Sequence, residues 1–227
     1  KWHTENFMWG NARTRRRGFW DEKIDEEFPR VQREGIKRLI SCFNCPQHCG
    51  ALVSYKDTPR YMAKCFGKLT YMMASYVDSM DFAWKTLQRA TEYGVDSFST
   101  PQILAFAVEL YEAGILTDKD LTGTSTYPAC PSDKEGRFLW LLDRVARREG
   151  IGDVLADGVY YAARAIGNGA EAFDHNTIKR HEQLPLKLGT MDPLYYLMYA
   201  TNEKISITQI EGNWPQGAFP TMEQREA

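Results

Sequence analysis

Ser99-Thr100-Pro101-Gln102-Ile103-Leu104-Ala105-Phe106-Ala107-Val108-Glu109-Leu110-Tyr111-Glu112-Ala113-Gly114 is the stretch on which the fold class turns. Two hydroxyl residues precede Pro101, a residue well suited to a helix start. Ile103, Leu104, Ala107, Leu110 and Tyr111 then recur at three- and four-residue intervals until Gly114 stops them, so a capped amphipathic helix is expected. Working outward, residues 133–148 repeat the pattern with Phe138, Leu141, Leu142 and Val145 on one side and Gly150 just past the end. Residues 151–166 place Val154, Leu155, Val159 and Ala162 together and close at Gly167. Residues 81–93 end at Gly94, and 25–40 give a fifth helix despite Pro29. Few stretches alternate with period two, so the expectation is a mainly α, multi-helix segment without repeats or low-complexity tracts. The loop 117–132, which contains Pro and Gly, is the expected seam between helical domains 1–120 and 121–227.

The chain has 227 residues, is 43% hydrophobic and carries a formal net charge of -2, which is enough apolar material for a core in one or two domains. With 28 Lys and Arg against 30 Asp and Glu, no overall field favours a polyanion, and a nucleic-acid partner is not expected. No apolar run is long enough for a transmembrane helix. The first residues carry His3, Glu5, Arg13, Arg15, Arg16 and Arg17 in place of an apolar signal core. A soluble, cytoplasmic protein is expected. Because the chain begins at Lys1 and ends in the polar stretch 222–227, it is also expected to be part of something longer.

Three of the five cysteines fall in Cys42-Phe43-Asn44-Cys45-Pro46-Gln47-His48-Cys49-Gly50. In a reducing compartment such close spacing suits metal ligation better than a disulfide framework. C-x2-C-x3-C can bring three thiolates to one iron–sulfur cubane, and Pro46 and Gly50 let the chain turn so that backbone N–H groups face the cluster sulfurs. Structural zinc is the rival, with Cys65 or His48 completing a tetrahedron, although the second C-x2-C pair usual in zinc modules is absent. Inert buried thiols are a third reading.

Several further motifs stand in order along the chain: Asn6-Phe7, the cysteine loop, Gly94-Val95-Asp96-Ser97-Phe98-Ser99-Thr100, the 106–116 helix, and Gly150-Ile151-Gly152-Asp153-Val154-Leu155-Ala156-Asp157-Gly158. Leu184-Pro185, Asp192-Pro193 and Tyr199-Ala200-Thr201 follow. In this arrangement the chain resembles the aldehyde ferredoxin oxidoreductase superfamily. That resemblance implies a bis-pterin tungsten or molybdenum cofactor beside a [4Fe–4S] cluster held by Cys42, Cys45 and Cys49, with the fourth ligand beyond Ala227. It implies that Asp96 contacts a pterin, for which a carboxylate is a good acceptor. On the residues alone, the favoured reading is that Asp96 and Ser99 turn the chain and cap the next helix.

The chain departs from the aldehyde-oxidising members after Tyr199-Ala200-Thr201, where Asn202-Glu203-Lys204-Ile205-Ser206-Ile207 replaces a Gly-rich stretch with a His. With His3 and Cys65 it looks more like the active-site subunits of class II benzoyl-coenzyme A reductases. By that resemblance Cys65 would ligate tungsten as a soft thiolate, and His3 would deliver a proton. Other readings stay open: Cys65 as a core thiol or cluster ligand, His3 as a terminal residue. Cys130 is read as incidental, His48 as a neighbour of the cluster sulfurs or a solvent-facing residue, and His175 and His181 as surface residues. The expected chemistry is reduction of an aromatic acyl-CoA, benzoyl-CoA to a cyclic dienoyl-CoA, with ferredoxin-linked aldehyde oxidation as the alternative. A ferredoxin or iron–sulfur subunit and the remainder of the same catalytic subunit are the expected partners. A zinc-stabilised interaction module is the rival from outside enzymology.

Overall fold

The computed structural model describes residues 28–44, 46, 50–64, 80–175, 177–182 and 200–201. Helices dominate, as expected. In chain order the elements are α1 (Phe28–Gly35), β1 (Ile36–Ile40), β2 (Gly50–Val53), β3 (Tyr61–Lys64), α2 (Met80–Tyr93), α3 (Ser99–Glu112), α4 (Lys134–Arg147), α5 (Ile151–Leu155) and α6 (Val159–Ile166). A short 3-10 turn, Ala170–Phe173, leads to β4 (Thr177–Ile178) and β5 (His181–Glu182). Among the described residues no helix is long and apolar enough to cross a membrane.

The helix expected over 25–40 is corrected: α1 stops at Gly35 and the chain becomes β1. β1, β2 and β3 form an antiparallel sheet in that order, with Ile40 opposite Gly50 and Gly50 opposite Lys64. Its inner face, Ala51, Val53, Tyr61 and Ala63, is buried. Trp84 of α2, 1% exposed, fills the space beneath. The Tyr55 ring stacks on the indole at 5.7 Å between centroids, Tyr61 meets it edge-on at 6.4 Å, and the Tyr61 hydroxyl donates to the Trp84 carbonyl at 3.1 Å. Burial pushes the Tyr61 phenol well above its ordinary pKa, so it stays a donor. At Gly35 a Cβ would come within 3.1 Å of the indole, which is why the chain crosses Trp84 without a side chain there.

α3 runs through the middle of the molecule. Residues Thr100 to Val108 and Leu110 are buried, so it is covered almost all round, not amphipathic as expected. α4 starts at Asp133, whose carboxylate accepts from the Gly136 N–H at 2.6 Å, and ends in left-handed Arg148. Phe82 and Phe138 pack edge to face at 5.9 Å, joining α2 to α4. The loop expected as a seam, 117–132, is tied to α4 by Trp140, whose indole N–H donates to the Pro128 carbonyl at 2.8 Å. Arg144, 5% exposed, lies over the Tyr127 ring at 4.1 Å and pairs with Glu149.

The single helix expected over 151–166 is also corrected: it breaks between α5 and α6. Gly158 has φ 93 and ψ 160, a conformation essentially closed to other residues. The break lets Glu182 reach the start of α6, where its Oε1 accepts from the Val159 N–H at 2.5 Å. Burial pushes the Glu182 carboxyl above its ordinary pKa, opposed by the Val159 hydrogen bond.

Gly158→Ala is expected to cost about 1–3 kcal/mol, because the backbone is strained for any Cβ and that Cβ would stand 2.8 Å from Glu182 Oε1. Urea unfolding measures it. Because the folded pKa of Glu182 is raised, its contribution to stability is complete below the ordinary carboxylate pKa and is lost as pH rises through the raised value. Glu182→Gln keeps an acceptor for Val159 and removes the charge. Its unfolding midpoint should therefore lack that fall with rising pH, and an unchanged pH profile would count against burial as the cause.

Candidate cofactor site

The cysteine triplet lies in the connection between two paired strands. Ile40, the last residue of β1, is opposite Gly50, the first of β2, so the sheet holds together the two strand ends that residues 41–49 connect. The backbone turns sharply within it, with Asn44 in the left-handed region at φ 56. Cys42 is exposed and is not in a disulfide, and Phe43 beside it is fully exposed. Lys64 is also opposite Gly50, so the strand ends that lead out of residue 49 and into residue 65 are register partners at one end of the sheet. Cys45, Cys49, Cys65, His48 and His3 lie outside the described residues. Among the described residues no three His, Cys, Asp or Glu side chains gather as a metal site.

Asp96 follows α2 after a turn at Gly94, whose φ is 69. Its Oδ2 accepts from the backbone N–H groups of Phe98 at 2.8 Å and Ser99 at 2.5 Å. The side chain thereby serves the first donors of α3, a job that Phe98 at the helix boundary does not do with its own side chain. Its negative charge also faces the positive end of the α3 dipole. Asp96 is exposed, and its Oδ1 makes no hydrogen bond with any described residue. One carboxylate oxygen thus turns the chain while the other stays able to accept from a ligand's N–H. Cys42 and Asp96 are carried by separate elements, the β1–β2 connection and the α2–α3 turn, with α2 packed against β3.

The remaining residues singled out in the sequence fall as follows. His175 and His181 are exposed, as expected, with His175 Nε2 at 3.9 Å from Glu109 Oε2. Cys130 lines a cavity of about 420 Å³ with Tyr111, Asp118 and Arg137. Burial raises its pKa, so the thiol is kept protonated and is not an activated nucleophile. Glu182 was missed in the sequence. Nothing local marks it, since the groups it serves lie more than twenty residues upstream, and only the Asp157-Gly158 pair hinted at the helix break.

The family described as aldehyde ferredoxin oxidoreductase, domains 2 and 3, matches residues 1–225. A tungsten-containing aldehyde ferredoxin oxidoreductase of Pyrococcus horikoshii is 32% identical over 74% of this chain and 27% of its own length. An aliphatic sulfonate oxidoreductase WOR-like subunit of Pyrococcus furiosus is 30% identical over 65% of this chain and 24% of its own. Among solved structures, the active-site complex BamBC of benzoyl-coenzyme A reductase with 1,5-dienoyl-CoA is 56% identical, with a TM-score of 0.82 over 99% of this chain and 33% of that one. The chain therefore spans about a quarter of the curated relatives it matches and a third of the solved chain. The family match over nearly all of its length places this chain in the aldehyde ferredoxin oxidoreductase family.

Proposed function

We propose that this chain is the helical part of the catalytic subunit of a tungsten-pterin, [4Fe–4S] oxidoreductase that reduces an aromatic acyl-CoA thioester, benzoyl-CoA to a cyclic dienoyl-CoA. The observation that carries the reading is the 56% identity, over 99% of the chain, to a benzoyl-CoA reductase active-site complex solved with dienoyl-CoA. Relatives named for aldehyde oxidation match at 32% or below, and they support the alternative, ferredoxin-dependent oxidation of aldehydes at the same cofactor.

The Asp96 turn fits a pterin: its exposed Oδ1 has no described partner and can accept from ring N–H donors. When bound, the bis-pterin tungsten (or molybdenum) centre and the cluster supply electrons at low potential. Within this chain Cys42, Cys45 and Cys49 would hold three corners of the cluster, the fourth ligand coming from the remainder of the subunit. Cys65 would offer tungsten a soft thiolate. A ring gaining electrons must also gain protons, and His3 would hold one on an imidazole nitrogen near neutral pH and pass it to a ring carbon. A ferredoxin or iron–sulfur subunit would deliver the electrons, in the cytoplasm of an anaerobe, by analogy with the family.

The test is anaerobic metal and sulfide analysis of the whole subunit, wild type beside Cys65→Ser, with turnover measured on benzoyl-CoA and on simple aldehydes. Iron and sulfide should stay at about four per chain, as one cubane needs, while tungsten and benzoyl-CoA reduction fall. Loss of iron with tungsten retained would move Cys65 to the cluster; turnover of aldehydes alone would sink the reductase reading, and zinc without sulfide would sink both. Asp96→Asn separates the two roles of that residue. Its amide oxygen still accepts from Phe98 and Ser99, but an NH₂ replaces the available oxygen. The unfolding free energy should fall by no more than about 1 kcal/mol, the helix-dipole contribution of the lost charge, while pterin content drops; full pterin content would leave Asp96 as a turn-former only.

A further inference from the structure

The cavity beside Cys130 is built where three pieces of chain meet: Tyr111 in the last turn of α3, the loop that follows it, and Arg137 in the first turn of α4. The rise along α3 from Ser99 to Tyr111 is about 18 Å, so the cavity stands at the opposite end of that helix from the Asp96 turn. Its volume of about 420 Å³ falls within the range of roughly 300–1,000 Å³ usual for small-molecule sites. The Arg137 guanidinium lies over the Tyr111 ring, 4.2 Å from its centroid, and the Tyr111 hydroxyl donates to Asp118 Oδ1 at 2.7 Å. One phenol thus meets a cation with its face and an anion with its hydroxyl. Arg137 and Asp118 nevertheless form no ion pair, either with each other or with any other described residue. Arg137 makes a single hydrogen bond, from Nη2 to the Ser132 carbonyl at 3.2 Å, and its Nε is buried without an acceptor. Opposite charges that line one cavity and stay apart each remain able to hold a group of the other sign. A simple anion would gain Arg137 but face Asp118, and a simple cation would gain Asp118 but face Arg137. A molecule carrying both signs satisfies both, and the apolar Leu121, Ala129 and Pro131 in the lining suit an apolar body.

We propose that this cavity is a binding site for a small zwitterion, an α-amino acid with an apolar side chain, whose carboxylate is held by Arg137 and whose ammonium is held by Asp118. The guanidinium suits a carboxylate because its N–H donors match the two oxygens, and Asp118 accepts from an ammonium as any ionised carboxylate does. The experiment uses the whole subunit and L-leucine as the probe, beside isocaproate, which lacks the ammonium, and isoamylamine, which lacks the carboxylate. Calorimetric titration reads affinity. Alkylation of Cys130 by iodoacetamide, followed on its own peptide by mass spectrometry at mildly alkaline pH, reads occupancy of this cavity, since the thiol lines it. Leucine at saturation is expected to slow that alkylation at least about fivefold, and each analogue should bind roughly tenfold more weakly for the charged contact it loses. Asp118→Asn keeps an acceptor for the Tyr111 hydroxyl and removes the charge, so leucine should bind it roughly tenfold more weakly while Cys130 in the free protein reacts at the wild-type rate. Arg137→Gln should lose leucine protection altogether; if that variant fails to fold, Asp118→Asn decides. Isocaproate binding as tightly as leucine overturns the proposal in favour of a plain carboxylate site. Leucine binding without protection of Cys130, or no leucine binding, overturns it too, and so does a Cys130 that never reacts in the free subunit because the remainder of the subunit covers the cavity.

Discussion

The buried indole of Trp84 is the contact on which the arrangement of this chain depends. A three-stranded sheet of such short strands is barely stable by itself and needs a partner for its apolar face. Trp84 provides it: Tyr55 and Tyr61 close around the ring, Tyr61 bonds its carbonyl, and Gly35 lets the α1–β1 junction approach. Aromatic groups packed in this way contribute large apolar area and prefer the offset and edge-on geometries seen here. The helix that carries Trp84 continues to Gly94 and the Asp96 turn. One side chain thereby sets the sheet that closes the cysteine loop on the same helix that leads to Asp96.

Charge in the helical half serves packing more than chemistry. Arg144 is buried but is paired with Glu149 and lies on the Tyr127 face, so its charge is met from both sides. Arg148 caps α4 in the left-handed region and reaches Asp153 and Asp157 across the α5 turn. Asp96 differs from these groups in keeping an oxygen that no described residue uses.

The helices α2, α3 and α4 were legible because each has a long apolar period and a clear stop. The errors have physical causes. Ile36, Leu39 and Ile40 are spaced three and four apart, which satisfies a helical period, and the competing strand pairing with Gly50–Val53 is not a local property. Gly50–Val53 and Tyr61–Lys64 are too short to show alternation. The hairpin was hidden because its loop, 41–49, is longer than the few residues that usually announce one. The thiol spacing spoke for a metal, but only the register shows what closes the loop. Asp96 was read as either a turn-former or a ligand contact, and the geometry has room for both, one oxygen each. Glu182 was not legible at all, because its meaning comes from Gly158 and Val159, brought to it by the break between α5 and α6.

The pairing of Ile40 with Gly50 has a further consequence for the order of assembly. Closing a loop costs chain entropy, and in small metal modules that cost is met only when the metal arrives, so folding and loading are one event. Here the ends of the loop are joined by strand hydrogen bonds and by the apolar face over Trp84, neither of which needs a metal. The two strand ends can therefore come together before any metal is bound, as a mould finished before casting.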